Sequence, residues 1–285
     1  MTILELYHDI CQRLKDVDIP DCDSEAVILI DHFLHLNQSQ IFLDGQRPVD
    51  TAVYSLIKNA LATRIGSRCP LAYIIGEQDF WSRTFRVSAA VLIPRQETEI
   101  LVEKVLRTVK PSADREFAFM DLGTGSGVLA VTLTLEIENS RGVAIDRSMS
   151  ALRVARDNAN RYAVGERLYF LQADWYSAVR PGQKFDLVVA NPPYVAGDIL
   201  KDLQPELDHE PSLALDGGRS GMKEIQRIAG KVHEVLRPGG WFFMEIGFDQ
   251  GGLVLDLFNS FDLYQQVMIH NDYAGLPRIL QARLT

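Results

Sequence analysis

Residues 185–194 have the sequence FDLVVANPPY, in which a largely apolar run is followed by Asn191, two prolines and Tyr194. A short apolar run of this kind predicts a buried strand over Phe185–Ala190. Proline lacks an amide donor and has a fixed φ, so Pro192 and Pro193 must end that strand in a stiff turn. Open α/β sheets bind their ligands at the carboxyl ends of strands. The turn therefore predicts a binding site for a planar nitrogen group, although a turn without function is the competing interpretation.

The rest of the C-terminal two thirds alternates between strand-like and helix-like segments. The candidate parallel strands lie at 117–122, 142–145, 168–171, 185–190 and 241–246. A helix is predicted over 222–236, ended by a turn at Pro238, Gly239 and Gly240. Two final segments, 263–269 and 278–283, have no helix between them and are expected to pair antiparallel. The pattern predicts an α/β, Rossmann-like sheet of seven strands.

The N-terminal third has a different character. Val53, Leu56, Ile57 and Ala60 begin a run with the spacing that buries one helix face, and 25–30 is a second apolar segment, so a small helical bundle is predicted. A hairpin is expected next, with strands at 77–81 and 85–88 around 82–84, and then a helix over 97–109. The predicted organisation is a helical domain over 1–75, a hairpin linker over 76–95 and an α/β domain over 96–285.

Composition narrows the class of protein. The 285 residues carry a net charge of −9, with 47% hydrophobic and 24% charged residues, as in ordinary soluble domains. Cys11, Cys22 and Cys69 show no Cys-x-x-Cys spacing, which favours a reducing, cytoplasmic location. No segment has the length of a membrane span, and no third ligand accompanies His32 and His35, so neither a membrane nor a metal is expected. The acidic balance argues against a nucleic-acid partner.

A glycine-rich loop follows the strand predicted at 117–122. Asp121 precedes Gly123, Thr124, Gly125, Ser126 and Gly127, and an apolar helix follows. Glycines let a ligand lie against the backbone at a helix N-terminus. The Asp-led Gly-x-Gly-x-Gly spacing differs from the Gly-x-Gly-x-x-Gly of dinucleotide sites. It favours a nucleoside cofactor with an amino-acid tail, whose ammonium needs a carboxylate, over NAD as the main competitor.

Two further strand ends carry side chains that suit a nucleoside. A carboxylate at Asp146 can accept from both ribose hydroxyls. Asp174 offers an acceptor for an exocyclic amine, and Trp175 offers a ring to cover adenine. Asp146 could instead cap a helix at Ser148, and Trp175 could be a packing residue.

These motifs together resemble a known family. The Asp-led glycine loop with a downstream Asn-Pro-Pro-Tyr resembles class I S-adenosylmethionine-dependent methyltransferases that act on planar nitrogens. The match to the HemK/PrmC family, the glutamine N5-methyltransferases of peptide chain release factors, runs from about Tyr73 to Arg283. It includes GEQDFW at 76–81, LIPRQETE at 92–99, Glu210-Pro211, and LDGG at 215–218 with Gly221. Gln96 departs from the family, which commonly has a second proline there.

The resemblance implies roles for particular residues. Asn191, Pro192 and Tyr194 would be catalytic, with Asn191 and the Pro192 carbonyl accepting the two N–H bonds of a glutamine amide. Beyond the resemblance, Pro193 and Phe80 are also expected to bind the substrate, although Phe80 could equally be a packing residue of the linker. S-adenosylmethionine would be bound by the residues of the glycine loop and of the neighbouring strand ends: Asp121, Gly123, Thr124, Gly125, Ser126, Gly127, Asp146, Asp174, Trp175 and Asn191.

The expected activity is methylation of the glutamine in the Gly-Gly-Gln loop of a class I release factor, with the helical domain recognising that protein. The rival is methylation of an adenine or guanine amine in DNA or RNA, because nucleic-acid methyltransferases share Asn-Pro-Pro-Tyr. A non-enzymatic adaptor with a degenerate site is a third hypothesis. Arg95 could simply pair with Glu97 or Glu99, and the role of Glu245 stays open.

Overall fold

A computed structural model of the protein describes residues 1–112, 114–199 and 204–285. The chain divides into two units. The first, the helical unit, consists of Met1–Gly76 with Pro205–His209, and the second, the sheet unit, of Glu77–Gln204 with Glu210–Thr285. The hairpin expected to be a linker thus belongs to the sheet unit, and Pro205–His209 joins the helices although it was expected in the α/β domain.

The helical unit is a bundle of five helices in its described residues: α1 (Ile3–Lys15), α2 (Cys22–Leu34), α3 (Gln38–Leu43), α4 (Thr51–Ser67) and α5 (Leu71–Ile75). Helix α1 begins with a reciprocal cap between Thr2 and Glu5, which satisfies two backbone donors that the first turn leaves free. Arg64 of α4 is 4% exposed and pairs with Glu25 and with Glu206. Glu206 lies in Pro205–His209, so this buried pair attaches that segment to the helices.

The sheet unit contains a hairpin, a seven-stranded sheet and the helices that cover it. Its strands are β1 (Glu77–Phe80), β2 (Arg83–Arg86), β3 (Phe117–Leu122), β4 (Ser140–Asp146), β5 (Leu168–Gln172), β6 (Phe185–Ala190), β7 (Leu236–Glu245), β8 (Tyr264–Asn271) and β9 (Pro277–Leu284). Its helices are α6 (Gln96–Thr108), α7 (Val128–Glu136), α8 (Met149–Arg161), α9 (Ser212–Leu215), α10 (Lys223–Ala229), α11 (Val232–Val235) and α12 (Gly251–Asn259).

The hairpin turn is shorter than predicted. Trp81 and Ser82 form a two-residue turn with φ of 52° and 56°, and Phe80 pairs with Arg83. Positive φ at both central residues matches the right-handed twist of the two strands. Strand β2 therefore begins at Arg83, inside the segment 82–84 that was expected to form the turn.

The single helix predicted over 222–236 is wrong. The chain forms α10, breaks at Gly230, and forms α11. Pro238, Gly239 and Gly240 lie within β7 instead of ending a helix. Leu236 pairs with Phe185 and Trp241 with Leu187, so β7 has four residues between its partners where β6 has one. Pairing with β6 thus extends β7 across a bulge that turn chemistry alone did not indicate.

The strands of the sheet follow the order β5-β4-β3-β6-β7-β9-β8, which determines where a ligand-binding crevice can form. Strands β3 to β7 pair in parallel, while β9 pairs antiparallel with β7 and β8, which confirms the predicted α/β, Rossmann-like sheet. Strands β3 and β6 are neighbours although they are far apart in the chain, so the strand order reverses between them. Such a reversal opens a crevice at the carboxyl ends of the two strands. None of the described helices is both long and apolar enough to cross a membrane.

Candidate active site

A cavity of about 180 Å³ lies in the sheet unit at this crevice. Its wall includes the loop after β3, Asp146 at the end of β4, Trp175 after β5, and Asn191 after β6. The sequence placed these groups on successive strand ends, and the fold brings them around one space. Of the predicted residues, the wall contains Gly123, Thr124, Gly125, Ser126, Asp146, Trp175, Asn191 and Pro193.

The glycine loop presents backbone to the cavity. Gly123 and Gly125 have φ of 74° and 54°, which favours glycine. A Cβ atom on Gly123 would lie 3.3 Å from the Trp175 ring, so a side chain there would crowd the cavity wall. Gly127, with φ of 82°, lies outside the wall, and a Cβ there would meet Ala155 of α8 at 3.0 Å. Gly127 therefore serves the packing of α7 on α8.

Asp121 lies beneath the loop instead of on the cavity wall. It is fully buried, and its Oδ2 accepts from the Thr124 hydroxyl at 2.6 Å and from the Ala130 amide at 3.2 Å. Its Oδ1 has no hydrogen-bond partner among the described residues. Burial raises the pKa of Asp121 to about 7. The loop is thus built around a carboxylate oxygen that still lacks a donor, which fits a nearby ammonium group.

Asp146 makes one of the two contacts that the sequence left open, the contact at the start of α8. Its Oδ2 accepts from the Gly125 amide at 2.9 Å, and its Oδ1 accepts from the Ser148 amide at 2.8 Å, at the start of α8. It also lines the cavity. Each carboxylate oxygen has a second lone pair, so both can accept from a ligand as well. Burial raises the pKa of Asp146 above its ordinary value.

Trp175 is held in place by a residue that the sequence did not indicate. Its indole N–H donates to Oε2 of Glu224 at 2.7 Å, and Glu224 also lines the cavity. Trp175 is 9% exposed, and its ring lies against Gly123. The ring therefore forms a fixed wall beside the glycine loop.

Asp174, which was predicted to contact the cofactor, is not among the residues on the cavity wall. Its Oδ2 pairs with Arg227 at 2.6 Å, and this bond holds the pKa of Asp174 below its ordinary value. Arg227 also donates to Glu224 at 2.7 Å. Asp174 is thus linked through Arg227 to the glutamate that holds Trp175, and its Oδ1 has no hydrogen-bond partner among the described residues.

Asn191 and Pro193 line the cavity after β6, whereas Pro192 and Tyr194 do not. Pro192 is buried, and its carbonyl receives no hydrogen bond from a described residue. The Tyr194 carbonyl accepts from Gln250 at 3.0 Å, and its hydroxyl donates to Glu245 at 3.0 Å. This arrangement fixes the corner formed by residues 191–194, called the acceptor corner below.

Gly217 of the LDGG segment and Gly221, which follows it, pack on this corner. A Cβ atom on Gly221, which has φ of 71°, would lie 2.3 Å from the Tyr194 carbonyl oxygen. A Cβ atom on Gly217 would lie 2.8 Å from Cα of Tyr194. Only glycine allows so close an approach of two backbones. The segment therefore closes over the acceptor corner.

Behind Asn191, two buried side chains join it by hydrogen bonds. The Asn191 Nδ2 group donates to the Thr98 hydroxyl at 3.1 Å, and that hydroxyl donates to Oε2 of Glu245 at 2.6 Å. Burial raises the pKa of Glu245 above its ordinary value. Glu245, whose role the sequence left open, thus supports both Asn191 and Tyr194.

Arg95 pairs with neither Glu97 nor Glu99. It donates to Glu210, whose other carboxylate oxygen accepts from the Ile93 amide at 3.1 Å. Glu99 accepts from the Trp81 amide at 2.7 Å instead. The Arg95–Glu210 pair ties the LIPRQ segment to the chain that continues into the cavity wall at Pro211.

The prediction that Phe80 contacts substrate is corrected by its environment. Phe80 is 1% exposed and packs edge-to-face on Phe85 at 6.1 Å between ring centroids, within the hydrophobic core of the sheet unit. It is not among the residues that line the cavity. Burial of both rings also explains why the hairpin belongs to the sheet unit.

Comparisons with known proteins agree with this architecture. Residues 96–207 match the family model of the methyltransferase small domain, and residues 5–76 match that of the PrmC N-terminal domain. The crystal structure of a methyltransferase from Pyrococcus furiosus has a TM-score of 0.52 at 14% identity and covers 82% of this chain and 98% of that one. At this low identity, the similarity supports the fold alone.

Curated relatives extend over nearly the whole chain. A release factor glutamine methyltransferase from Koribacter versatilis is 36% identical and covers 99% of both chains. Another, from Nitratidesulfovibrio vulgaris, is 37% identical over 99% of this chain and 95% of that one.

The sheet order, with a glycine loop and an Asn-Pro-Pro-Tyr corner at its reversal point, defines a class I methyltransferase. The N-terminal helices and the full-length similarity narrow the class. The chain belongs to the release factor glutamine methyltransferase family.

Proposed function

We propose that this protein transfers a methyl group from S-adenosylmethionine to the side-chain amide nitrogen of the glutamine in the Gly-Gly-Gln loop of a class I release factor. The observation that carries the proposal is the acceptor corner. Two oxygens there, Oδ1 of Asn191 and the carbonyl of Pro192, receive no hydrogen bond from a described residue. Family membership supports the same activity.

The residues around the cavity fit the cofactor. The positive-φ glycines leave room for a ligand against the backbone, and Oδ1 of Asp121, buried beneath the loop without a partner among the described residues, suits an ammonium. Asp146 has lone pairs left for ribose hydroxyls, and Trp175 offers a ring for adenine. S-adenosylmethionine supplies a methyl group activated by a sulfonium.

The acceptor corner would orient the nucleophile. An amide nitrogen is a poor nucleophile because its lone pair is delocalised into the carbonyl. Two acceptors that hold its N–H bonds fix its direction of approach and stabilise the positive charge that develops on it. Positioning of this kind can contribute about 7–11 kcal/mol. The prolines matter here because a stiff turn loses little entropy on binding.

No strong base is needed at the corner. The described residues of the cavity wall include no histidine or lysine. Once methylated, the amide nitrogen is strongly acidic and can lose its proton to water. The same two acceptors would disfavour glutamate, which has no N–H to donate and whose negative charge is repelled by the partial negative charge of both oxygens.

The helical unit is the proposed recognition domain. A Gly-Gly-Gln loop is short and offers little contact area, so a protein substrate needs additional contacts elsewhere. The match of residues 5–76 to the PrmC N-terminal domain supports this assignment.

The test is a methylation assay that maps the modified atom. The protein is incubated with S-adenosylmethionine and a class I release factor, and the peptides are analysed by mass spectrometry. We expect a gain of one methyl group on the glutamine of the Gly-Gly-Gln loop. DNA and RNA are assayed in parallel. Methylation of an adenine or guanine, with the glutamine unmodified, would contradict the proposal and favour the nucleic-acid alternative.

A further inference from the structure

Three hydrogen bonds, one buried and two partly buried, lie beneath the acceptor corner and involve residues from different elements. Thr98 belongs to the first turn of α6, Glu245 ends β7, and Asn191 and Tyr194 follow β6. Thr98 is 2% exposed and Glu245 is 1% exposed, so the bond between these two side chains is shielded from water. Glu245 accepts from Thr98 through Oε2 and from Tyr194 through Oε1.

The chemistry of these groups determines where the protons lie. Burial raises the pKa of Glu245, but the hydrogen bonds from Thr98 and Tyr194 and the charge of Arg278 oppose that effect and favour the ionised form. In that form the carboxylate can only accept hydrogen bonds, and a threonine hydroxyl has a single proton. The Thr98 hydroxyl lies 2.6 Å from Oε2 of Glu245 and uses its proton to donate a hydrogen bond to that oxygen. The Thr98 oxygen can then only accept, so the side chain of Asn191 must present its Nδ2 group to it.

The other end of the Asn191 amide is set by the same chain of bonds. With Nδ2 turned inward to Thr98, Oδ1 is the end left for the cavity, and none of the described residues donates to it. An asparagine without this support could present either end, because its two ends have nearly the same shape.

The geometry points to Thr98 and Glu245 as positioning residues that determine the specificity of the acceptor corner. They hold Asn191 with its oxygen toward the substrate, so that the corner accepts N–H bonds from a carboxamide and repels a carboxylate. This inference rests on the proposed function, since it concerns how the same site selects glutamine. Thr98 acts through its bond to Asn191 and also forms part of the cavity wall, and Glu245 acts through Thr98 and Tyr194.

A purely structural role for Thr98 makes a different prediction. Thr98 lies in the first turn of α6 beside the buried Glu245, so its loss could simply weaken the packing there. Weaker packing would lower stability and would affect glutamine and glutamate peptides alike. A positioning role changes the preference between the two peptides.

The experiment compares Thr98→Val, which keeps the shape and removes the hydroxyl, with Thr98→Ser, which retains the hydroxyl. Thr132→Val is the matched control, because the Thr132 hydroxyl is buried in α7 without a partner among the described residues. Two Gly-Gly-Gln-loop peptides are used, identical except for glutamine or glutamate. Their binding is measured with the demethylated cofactor product present, and methylation of the glutamine peptide is measured separately.

We expect the wild type to prefer the glutamine peptide by roughly 100-fold or more. Thr98→Val should reduce that preference to about tenfold or less and lower kcat by about 10- to 100-fold, while cofactor affinity stays within about twofold. Thr98→Ser should restore most of the preference and the kcat. Thr132→Val should behave as the wild type does.

Glu245→Leu provides a second variant in case Thr98→Val does not fold. It removes the acceptor of the Thr98 proton, which can then be donated to Oδ1 of Asn191, and Nδ2 is turned toward the cavity. The preference for glutamine should again fall to about tenfold or less. A folded Thr98→Val or Glu245→Leu variant with the preference and kcat of the wild type would overturn the inference. A wild type that binds and methylates neither peptide nor release factor would instead overturn the proposed function.

Discussion

The ends of β3 and β6 face the same cavity but are built in different ways. After β3, the wall is largely backbone, with glycines at positive φ and a buried Asp121 beneath them. After β6, the wall is a stiff proline turn whose Asn191 is held from behind by Thr98 and Glu245. The wall after β3 leaves space for a ligand, and the wall after β6 fixes the orientation of the groups that contact it. A cofactor bound by many weak contacts suits the first, and a nucleophile that must approach along one line suits the second.

This comparison predicts that single substitutions affect turnover most at the β6 end. Asn191→Ala removes one of two acceptors on the nucleophile, so we expect kcat to fall by about 10²- to 10³-fold while the melting temperature and cofactor affinity change little. Single-turnover methylation of a release factor measures the effect. Asn259→Ala, at the exposed end of α12, is the matched control. A kcat within threefold of the wild type for Asn191→Ala would show that the corner does not orient the nucleophile.

The close backbone packing at the same end should make Gly221 sensitive. Gly221→Ala places Cβ 2.3 Å from the Tyr194 carbonyl oxygen at a φ of 71°. We expect the free energy of unfolding to fall by about 1–3 kcal/mol, and kcat to fall in the folded protein because the corner is displaced. Chemical denaturation and kinetics measure the two effects.

Gly252→Ala is the control for that substitution, because a Cβ atom at Gly252 in α12 meets nothing within 4 Å. It should leave stability unchanged or raise it by up to about 1 kcal/mol. Equal losses of stability in the two variants would mean that the packing of Gly221 on Tyr194 is not the cause.

At the β3 end, the comparison predicts effects on affinity and its pH dependence. The folded pKa of Asp121, about 7, lies above its unfolded value of 3.8. The folded protein therefore binds more protons than the unfolded chain between about pH 4 and pH 7, so Asp121 lowers stability as the pH rises through that range. Its ionised form attracts an ammonium, so cofactor affinity should increase as the pH rises through about 7.

Asp121→Asn should flatten that part of the affinity profile, measured by calorimetry from pH 5.5 to 8.5. Asp256→Asn, on the exposed side of α12, should keep the wild-type profile. The difference between the variant profiles isolates Asp121 from the titration of the cofactor itself. Identical profiles for the wild type and Asp121→Asn would place the ammonium elsewhere.

The smallest effect is expected at Trp175. Trp175→Phe keeps a ring on the cavity wall but loses the bond to Glu224, which still pairs with Arg227. Cofactor affinity should fall by about tenfold, while kcat at saturating cofactor stays near the wild type. Trp241→Phe in β7 is the control, since Trp241 stacks with Arg283 and is absent from the cavity wall. A loss of kcat with unchanged cofactor affinity in Trp175→Phe would contradict the assignment of Trp175 to cofactor binding.

Local sequence pattern was enough to predict the two strands and the two loops that form this site. The apolar runs of β3 and β6 match their predicted bounds, 117–122 and 185–190, because both strands are buried on both faces. The glycine loop and the proline corner follow them directly, so their position at the sheet edge could also be inferred.

The residues that hold Asn191 and Trp175 in place could not be predicted from local pattern, because they lie far from those two residues in the chain. Thr98 lies 93 residues before Asn191, and 147 residues separate it from Glu245. Glu224 contacts Trp175 from a helix 49 residues later. A sequence pattern also does not distinguish a core aromatic residue from one in a site, and Phe80 was assigned wrongly for that reason.

The central claim is that two fixed acceptors hold a carboxamide beside the methyl donor. A crystal structure with the demethylated cofactor product and a Gly-Gly-Gln peptide tests it most directly. We expect the glutamine nitrogen within about 3.2 Å of both Oδ1 of Asn191 and the carbonyl oxygen of Pro192, facing the sulfur. A glutamine bound elsewhere, or an Asn191 that presents Nδ2 to it, would contradict this account.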